Sequence, residues 1–265
     1  MTVLSVKDLN VSFSTEEGRL HALKNVTFDV PKGRIVGIVG ESGCGKSTLI
    51  NSVLGLLAKN GRIDSGSILF DGQNELTALG PTEMRALRGL RISTVFQDPM
   101  GALNPVISVG AQMVNIQYRS NLSRAEKRAK AVAILKQVRI PDAEAALDRY
   151  PHQFSGGMKQ RIAIAMALMM EPALLIADEP TTALDATLEV ATIELLQELQ
   201  QKIGCSVLFI SHHLGVIAEL CEDVVVMYAG EVVERGTTRQ VFNDPRHPYT
   251  RRLLECDPAR QSGRV

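Results

Sequence analysis

The sequence predicts an α/β fold with a mostly parallel sheet, and two observations support this prediction. Short apolar segments rich in β-branched residues alternate with longer segments of helical spacing along the 265 residues, which is the pattern of parallel strands joined by helices. Apolar residues make up 45% of the chain and charged residues 22%, as in a globular domain with its own core. This length suits one large core, or a core with a subdomain.

The N-terminal region is predicted to consist of strands followed by a helix. Residues 3–13 alternate between apolar and polar, which predicts an edge-type strand. A turn at 15–18 and a second strand at 22–30 follow. The segment 34–40 is short, apolar and β-branched, which indicates a buried parallel strand. Helical spacing then covers 46–57.

The middle of the chain changes from strands to helices. Strands are predicted at 65–72 and 91–97. Ser123 and Glu126 have the spacing of a capping box, which marks the start of a helix. We interpret roughly 98–153 as a helical insertion between strands of the α/β core. The elements predicted after it are helices at 155–170, 188–202 and 214–221 and strands at 173–178, 206–211, 224–227 and 231–234.

Composition and the N-terminal sequence argue against several classes of protein. The formal net charge is zero, whereas a protein that acts on nucleic acid usually carries a basic excess. The first residues lack the basic and apolar regions of a signal peptide. The most apolar stretch, 162–170, is much shorter than the roughly 20 residues that cross a bilayer. Four cysteines without a CxxC pair predict neither a zinc site nor a disulfide framework, and favour a reduced cytosolic compartment.

The segment from Gly40 to Ser47 matches the phosphate-loop pattern G-x-x-x-x-G-K-[ST]. Its glycines let backbone N–H groups turn inward around phosphate oxygens, and the following helix adds its N-terminal dipole. Lys46 would contact the β and γ phosphates, and the Ser47 hydroxyl would bind Mg²⁺. A chance match occurs roughly once in a hundred chains of this length, and the preceding strand and following helix reduce that figure. The predicted phosphate-binding residues are Gly40, Glu41, Ser42, Gly43, Cys44, Gly45, Lys46, Ser47 and Thr48.

The predicted strand at 173–178 runs directly into two acidic residues. Asp178, at the carboxyl end of the strand, could reach the Mg²⁺ held by Ser47. Glu179, one residue further on, faces another direction and could act as a general base on water. Charges also collect at solvated strand ends, so this pair alone leaves both interpretations open. The phosphate loop upstream favours the catalytic one. The sequence contains no Asn-Lys-x-Asp guanine motif, but these residues do not by themselves discriminate ATP from GTP.

The segment Phe154–Met158, with the sequence FSGGM, predicts a second anion site at the start of a helix. The alternative is an ordinary helix start, since serine is a common N-cap residue. The chain already carries one phosphate loop. A second anion site is therefore explained best if it closes over a nucleotide held by another copy or by a related subunit.

Together these residues resemble the ATP-binding subunit of an ABC transporter over essentially the whole chain. The resemblance implies a P-loop NTPase (RecA-like) core with an N-terminal antiparallel β subdomain and an inserted α-helical subdomain. It implies one ABC ATPase domain at 1–265, in which 1–97 and 159–265 form the β subdomain and core and 98–158 forms the helical signature subdomain. The motifs that carry it, in the family's order, are the phosphate loop at 40–47, Gln97, FSGGM at 154–158, LLIADE at 174–179 and His212.

The resemblance also implies roles for single residues. Gln97 would contact Mg²⁺ and the attacking water and would link the site to membrane subunits. His212 would hold the γ-phosphate and orient the catalytic acid Glu179. Alone, a glutamine at a strand end is usually only solvated, and a lone histidine is usually a satisfied polar residue. The residues implied to cover the ATP of an opposing subunit are Ser155, Gly156, Gly157 and Met158.

Two further assignments follow from the same resemblance. Asp185 would lie in the D-loop that Thr182-Ala183-Leu184-Asp185 resembles. The adenine would stack on an aromatic residue of the N-terminal sheet, for which Phe13 is the best candidate. A phenylalanine that only fills the core is the alternative for Phe13.

Three Pro-containing segments resemble one subgroup, the ATPases of the bacterial dipeptide, oligopeptide and nickel importers. They are 97–105, Tyr-Pro-His-Gln at 150–153 and Arg-His-Pro-Tyr-Thr at 246–250. Generic turn chemistry is the alternative for each one. Many relatives in this subgroup continue into a cysteine-rich tail that resembles an iron–sulfur site, whereas this chain has only Cys256 there. We therefore expect ATP and Mg²⁺ and no iron–sulfur cluster.

The resemblance implies a peripheral protein on the cytoplasmic face of the bacterial inner membrane. Its expected partners are a second ABC ATPase subunit, identical or related, two integral membrane permease subunits and an external substrate-binding protein, with no nucleic acid. The rival function is a soluble, non-transport ABC ATPase of the DNA-repair or translation class. A DNA-repair protein would need a long coiled-coil insertion, and the sequence has no sustained heptads. A translation protein would usually carry two such cassettes and a basic surface.

Overall fold

A computed structural model describes residues 1–96, 99–182 and 184–256. The strands follow the predicted order, although several are longer than predicted. Their bounds are β1 (Thr2–Thr15), β2 (Gly18–Pro31), β3 (Ile35–Val39), β4 (Gly61–Phe70), β5 (Asn74–Glu75), β6 (Ile92–Val95), β7 (Leu174–Asp178), β8 (Ser206–Ile210), β9 (Asp223–Tyr228) and β10 (Glu231–Thr237).

The helices include every helix that the spacing predicts. Their bounds are α1 (Lys46–Leu54), α2 (Pro81–Leu87), α3 (Pro99–Ala102), α4 (Val109–Ile116), α5 (Arg124–Gln137), α6 (Ala143–Ala146), α7 (Gly156–Leu168), α8 (Ala186–Ile203), α9 (Leu214–Leu220), α10 (Thr238–Asn243) and α11 (Pro248–Glu255). Short 3-10 helices lie at Leu76–Ala78 and Pro151–Gln153. In the described part of the chain, no helix combines the length and the apolar character needed to cross a bilayer.

The chain divides into two compact units. The first combines Met1–Arg88 with the C-terminal part of the chain from Ser206 onward, and the second is Gly89–Cys205. The helical subdomain predicted at 98–158 falls within the sequence limits of the second unit. Its boundaries remain a prediction.

The first unit contains an antiparallel sheet in the order β2-β1-β4-β5. The strand β1 pairs with β2 on one side and with β4 on the other, so the prediction of an edge-type strand was wrong. The alternation along β1 reflects one buried face, on which Leu4, Val6, Leu9 and Val11 are fully buried. A central antiparallel strand with one solvated face shows the same alternation, and the pattern therefore does not report how many neighbours a strand has.

The first unit also contains the parallel strands that position the phosphate loop. The strand β3 pairs in parallel with β8 and β9, and β9 continues antiparallel into β10. Every residue of β3 is buried, because both faces of this strand are covered. At Gly37 a Cβ would lie 3.0 Å from side-chain atoms of Ile217 and Cys221, so α9 packs closely on this strand. The predicted buried parallel strand is confirmed.

The second unit consists of helices around a parallel pair of strands. The strands β6 and β7 pair from Ile92 opposite Leu174 to Val95 opposite Ala177. The capping box predicted at Ser123 and Glu126 is present at the start of α5. It satisfies N–H groups that the first helical turn leaves without partners.

Candidate nucleotide-binding site

The phosphate loop joins β3 to α1 and contains glycines at positions that other residues could not occupy. Gly40 has φ 154°, Gly43 has φ 82° and Gly45 has φ 109°. A Cβ on Gly40 would lie 2.2 Å from the carbonyl oxygen of Met227 and 2.8 Å from Cys44 Sγ. The backbone of the loop thus passes directly against the end of β9, and this approach requires glycine.

The start of α1 is an anion-binding feature of the loop. Gly45 is the N-cap residue, and no side chain of the described residues caps it. The N–H groups in the first turn of a helix have no intrahelical acceptor, and the helix dipole makes this end positive. The first turn contains Lys46, exposed Ser47 and half-buried Thr48. This end of the helix is suited to phosphate oxygens.

The ammonium group of Lys46 is held by the loop itself. Lys46 is 8% exposed. Its Nζ donates hydrogen bonds to the carbonyl oxygens of Gly40 at 2.6 Å and Glu41 at 2.9 Å, and it contacts Cys44 Sγ at 3.7 Å. Sulfur is a weak acceptor, so a phosphate oxygen can replace this third contact at little cost. The charge is therefore fixed in place before any phosphate binds.

Two residues from the C-terminal part of the first unit also contact the loop. The N–H of Gly230 donates to the carbonyl oxygen of Cys44 at 3.0 Å. The N–H of Glu41 donates to the Tyr249 hydroxyl at 3.1 Å. The sequence interpretation did not connect either residue with the loop. Both contacts join positions about 200 residues apart, for which the local sequence carries no signal.

Asp178 and Glu179 lie at the carboxyl end of β7, in the second unit, and both are half-buried. Glu179 has φ 46°, which is uncommon for a residue other than glycine. Thr182 supports this conformation, because its Oγ1 donates to Glu179 Oε2 at 3.1 Å and its N–H to the Glu179 carbonyl oxygen at 3.3 Å.

The signature segment forms the start of α7, also in the second unit. Ser155 is the N-cap residue, and its Oγ accepts a hydrogen bond from the Met158 N–H at 3.3 Å. Ser155 and Gly156 are exposed, and a Cβ on Gly156 would meet no atom of the described chain within 4 Å. A Cβ on Gly157 would lie 3.1 Å from Leu188 Cδ1. Gly157 thus allows α7 to pack on α8, whereas Gly156 leaves the backbone open to solvent.

The remaining predicted residues lie on both units. In the second unit, exposed Asp185 is the N-cap of α8, and its Oδ1 accepts from the Leu188 N–H at 3.0 Å. In the first unit, exposed His212 lies two residues after the end of β8. Half-buried Phe13 lies on β1 beside Gly61, where a Cβ would approach its ring to 2.6 Å. Gln97 lies outside the described residues.

The structure therefore brings some of the predicted residues together in each unit. The first unit holds the whole phosphate loop. The second unit places the two acids at one strand end and the signature segment at the start of one helix. The catalytic, metal-binding and adenine-stacking roles of these residues remain predictions.

Comparison with known proteins identifies the family. Residues 23–182 match the family model described as ABC transporter. The chain is 47% identical over 258 residues to the dipeptide transport ATP-binding protein DppD of Lactococcus lactis subsp. cremoris, covering 97% of this chain and 74% of that protein. It is 46% identical over 262 residues to the oligopeptide transport ATP-binding protein OppD of Bacillus subtilis, covering 98% and 73%.

Solved structures agree with this assignment. A dimeric post-hydrolysis state of the ATP-binding cassette MJ0796 bound to ADP and Pi superposes with a TM-score of 0.77 at 29% identity, covering 89% of this chain and 99% of that one. The cbiO1 protein of Clostridium perfringens, part of the ABC transporter complex cbiONQ, gives a TM-score of 0.78 at 32% identity, covering 96% and 99%. The predicted fold class is confirmed. The chain belongs to the ABC transporter family and is an ATPase of that family.

Proposed function

We propose that this ATPase is a subunit of a bacterial importer and that its ATP hydrolysis energises the uptake of peptides or of a related small solute such as nickel. One observation carries this proposal. The likeness to relatives named for dipeptide and oligopeptide transport extends over nearly the full chain. A non-transport ABC ATPase of the DNA-repair or translation class has no comparable support.

The phosphate loop would bind the β and γ phosphates of ATP. The N–H groups at the start of α1 would donate hydrogen bonds to phosphate oxygens, and Lys46 Nζ adds a positive charge that the Gly40 and Glu41 carbonyl oxygens already orient. Pre-orientation matters because no side chain has to be ordered when the nucleotide arrives. The base of the nucleotide would stack on Phe13.

The oxygen-bearing side chains fit a Mg²⁺ ion. The exposed Ser47 hydroxyl at the start of α1 and the half-buried Asp178 carboxylate at the end of β7 are the oxygen donors that Mg²⁺ prefers. We propose that they bind it together with the side-chain oxygen of Gln97. A bound Mg²⁺ neutralises charge on the phosphate oxygens.

Glu179 would polarise the water that attacks the γ-phosphate. Its carboxylate is held by Thr182. His212 would hold the γ-phosphate and orient Glu179. Gln97 would help to position the same water.

A second ABC ATPase subunit, identical or related, would complete each site. Ser155 and Gly156 at the start of α7 are exposed, and a Cβ on Gly156 would meet no atom of the described chain within 4 Å. We propose that the residues 155–158 of one subunit cover the γ-phosphate of the ATP held by the other, with Asp185 at the dimer contact. Each subunit would then supply half of two sites.

Two integral membrane permease subunits would dock on the second unit. A cavity of about 380 Å³ lies there, and its walls include Phe96, Leu103, Ile116 and Met166. Phe96 is 49% exposed and Val106 is 78% exposed, and large exposed apolar side chains often mark interaction surfaces. We propose that the segment 98–117 contacts the permeases at the cytoplasmic face of the membrane, while an external binding protein delivers the solute.

The general-base role can be tested with Glu179→Gln, which keeps the size of the side chain and removes the base. We expect ATP turnover to fall about 100-fold or more, as for a lost catalytic base, while ATP binding is retained. Glu194→Gln, at an exposed position of α8, is the matched control. Normal turnover by Glu179→Gln would refute the role.

The transporter assignment can be tested by purifying the tagged chain from membranes of its source cells. Integral membrane subunits should co-purify, and Phe96→Asp should reduce their recovery several-fold because a charge in an apolar contact is unfavourable. The control is Val190→Asp, which changes a valine of α8 that is 47% exposed and lies outside the cavity. Recovery without any integral membrane protein, or equal losses in both variants, would contradict the assignment.

A further inference from the structure

We propose that Tyr249 is a positioning residue for the phosphate loop: its hydroxyl orients the peptide between Gly40 and Glu41, and the carbonyl of this peptide in turn orients Lys46. This inference rests on the ATP-binding function proposed above. It assigns a role to the Arg-His-Pro-Tyr-Thr segment at 246–250, which otherwise marks only a subgroup resemblance.

A single peptide group links Tyr249 to Lys46. The Glu41 N–H donates to the Tyr249 hydroxyl at 3.1 Å. The Gly40 carbonyl belongs to the same peptide group, and it accepts from Lys46 Nζ at 2.6 Å. Because a peptide group is planar and rigid, a contact that fixes its N–H also fixes the direction of its carbonyl. The hydroxyl therefore acts on the ammonium group through one rigid unit.

The Tyr249 hydroxyl is itself held in place by the start of α11. The Tyr249 N–H donates to His247 Nδ1 at 3.2 Å, which caps the helix. The Glu234 carboxylate of β10 accepts from the N–H groups of Arg246 at 2.7 Å and His247 at 3.1 Å. The two bonds to Glu234 fasten the residues that directly precede α11 to β10. They leave little freedom for the tyrosine backbone.

The ring of Tyr249 packs against a second tyrosine. The centroids of the Tyr228 and Tyr249 rings are 4.3 Å apart, with an interplanar angle of 36°. Tyr228 is the last residue of β9, and two residues later the Gly230 N–H donates to the Cys44 carbonyl oxygen. Burial raises the pKa of Tyr249 above its usual value.

The arrangement predicts an effect on nucleotide affinity rather than on chemistry. The hydroxyl accepts from the N–H of the Gly40–Glu41 peptide, and the carbonyl of the same peptide accepts from Lys46. Without it, the loop should sample orientations in which Lys46 is misdirected, and only part of the population would bind ATP well. The loss of one hydrogen bond corresponds to a rise of about three- to tenfold in the Kd for ATP.

The test compares Tyr249→Phe with Tyr228→Phe. Both variants keep the pair of aromatic rings and lose one hydroxyl. Of these two hydroxyls, the Tyr249 hydroxyl is the one that hydrogen-bonds the phosphate loop in the described part of the chain. Titration calorimetry should show the three- to tenfold rise in the Kd for ATP in Tyr249→Phe and less than a twofold change in Tyr228→Phe. The KM for ATP should rise in parallel, with kcat changed less than twofold.

Amide hydrogen exchange separates positioning from a general loss of stability. In the nucleotide-free protein, the Glu41 amide should exchange faster in Tyr249→Phe and unchanged in Tyr228→Phe. An unaltered Kd in Tyr249→Phe, an equal loss in both variants, or unchanged exchange at Glu41 would overturn the proposal. A third variant, Lys46→Ala, distinguishes a failure of the positioning role of Tyr249 from a failure of the proposed ATP-binding function. If wild type binds ATP and Lys46→Ala does not, the loop is the ATP site whatever Tyr249 does, whereas a wild type that fails to bind ATP contradicts the proposed function itself.

Discussion

The N-termini of α1 and α7 both present backbone N–H groups, but their surroundings differ. At α1, Lys46 in the first helical turn is buried. The phosphate loop that precedes this helix is contacted by β9, by the β9–β10 turn and by α11. At α7, Ser155 caps its own helix and Gly156 is open to solvent. The proposal that the first terminus holds the phosphates and that the second covers the ATP of another subunit accounts for this difference.

Among the variants that test this comparison of α1 with α7, Lys46→Ala is expected to change ATP binding most. Removal of the ammonium group eliminates charge-assisted contacts with phosphate, so the Kd for ATP should rise about 100-fold or more. Titration calorimetry measures this change. Lys59→Ala, at an exposed position, should bind ATP as wild type does. An unchanged Kd in Lys46→Ala would mean that the loop at α1 is not the primary phosphate site.

Alkylation of Cys44 should inhibit nearly completely, but slowly. Cys44 is buried against Lys46, so a bulky adduct would disrupt the loop once it forms. Burial raises the pKa of Cys205 to about 11 and that of Cys221 further still, which makes both thiols unreactive. Exposed Cys256 should react first, and Cys256→Ser removes this background.

Mass spectrometry can follow the alkylation while ATPase activity is recorded. Inhibition should track the modification of Cys44, and bound ATP should slow both. If fully modified Cys44 left ATP binding intact, the loop would not hold the nucleotide in the way proposed here.

Gly156→Ala should distinguish most clearly between the roles of the N-termini of α1 and α7. A Cβ there meets no atom of the described chain within 4 Å, so the fold and the binding of ATP at α1 should be unchanged. If this terminus covers the ATP of a second subunit, the added methyl group obstructs the contact and turnover should fall roughly tenfold. ATPase assays and calorimetry on the same preparation measure the two quantities. Equal turnover in variant and wild type would remove α7 from the shared site.

Ser155→Ala is expected to have the smallest effect on the protein alone. The variant loses the hydrogen bond from the Met158 N–H to the Ser155 Oγ, and loss of an N-cap typically costs about 1 kcal/mol. The free energy of unfolding, measured with urea, should fall by that amount. Ser14→Ala, which changes an exposed side chain near the end of β1, gives the comparison for a hydroxyl outside a helix cap. A fall well above this range would indicate that Ser155 supports more than its own helix.

Much of the fold and of the site could be predicted because the signals are local. The run that forms β3 is apolar because both of its faces are buried. The loop pattern is readable because its glycines and Lys46 are close together in the sequence. The start of α7 could be predicted because Ser155 is an N-cap residue, whose hydroxyl accepts a hydrogen bond from the N–H of Met158, three residues further on.

The features that were missed depend on distant parts of the chain. Alternation in β1 showed its buried face but not its two neighbouring strands. The hydrogen bond between Glu41 and Tyr249 joins residues 208 positions apart. The hydrogen bond between Gly230 and Cys44 also joins residues that are distant in the sequence. Hydrogen bonds of this type depend on tertiary packing, and neither periodicity nor local propensity encodes them.

The backbone of Glu179 has a consequence for the stability of the whole protein. A non-glycine residue in the left-handed region costs about 1 kcal/mol, and Glu179 lies there with φ 46°. Glycine or asparagine would suit this backbone better, so the fold on its own would favour a residue that lacks the carboxylate. The chain thus keeps an acid where its own stability would select against one. If Glu179 is the general base, stability and turnover favour different residues at this strand end, and a search for heat-resistant variants would reward a substitution that removes the base.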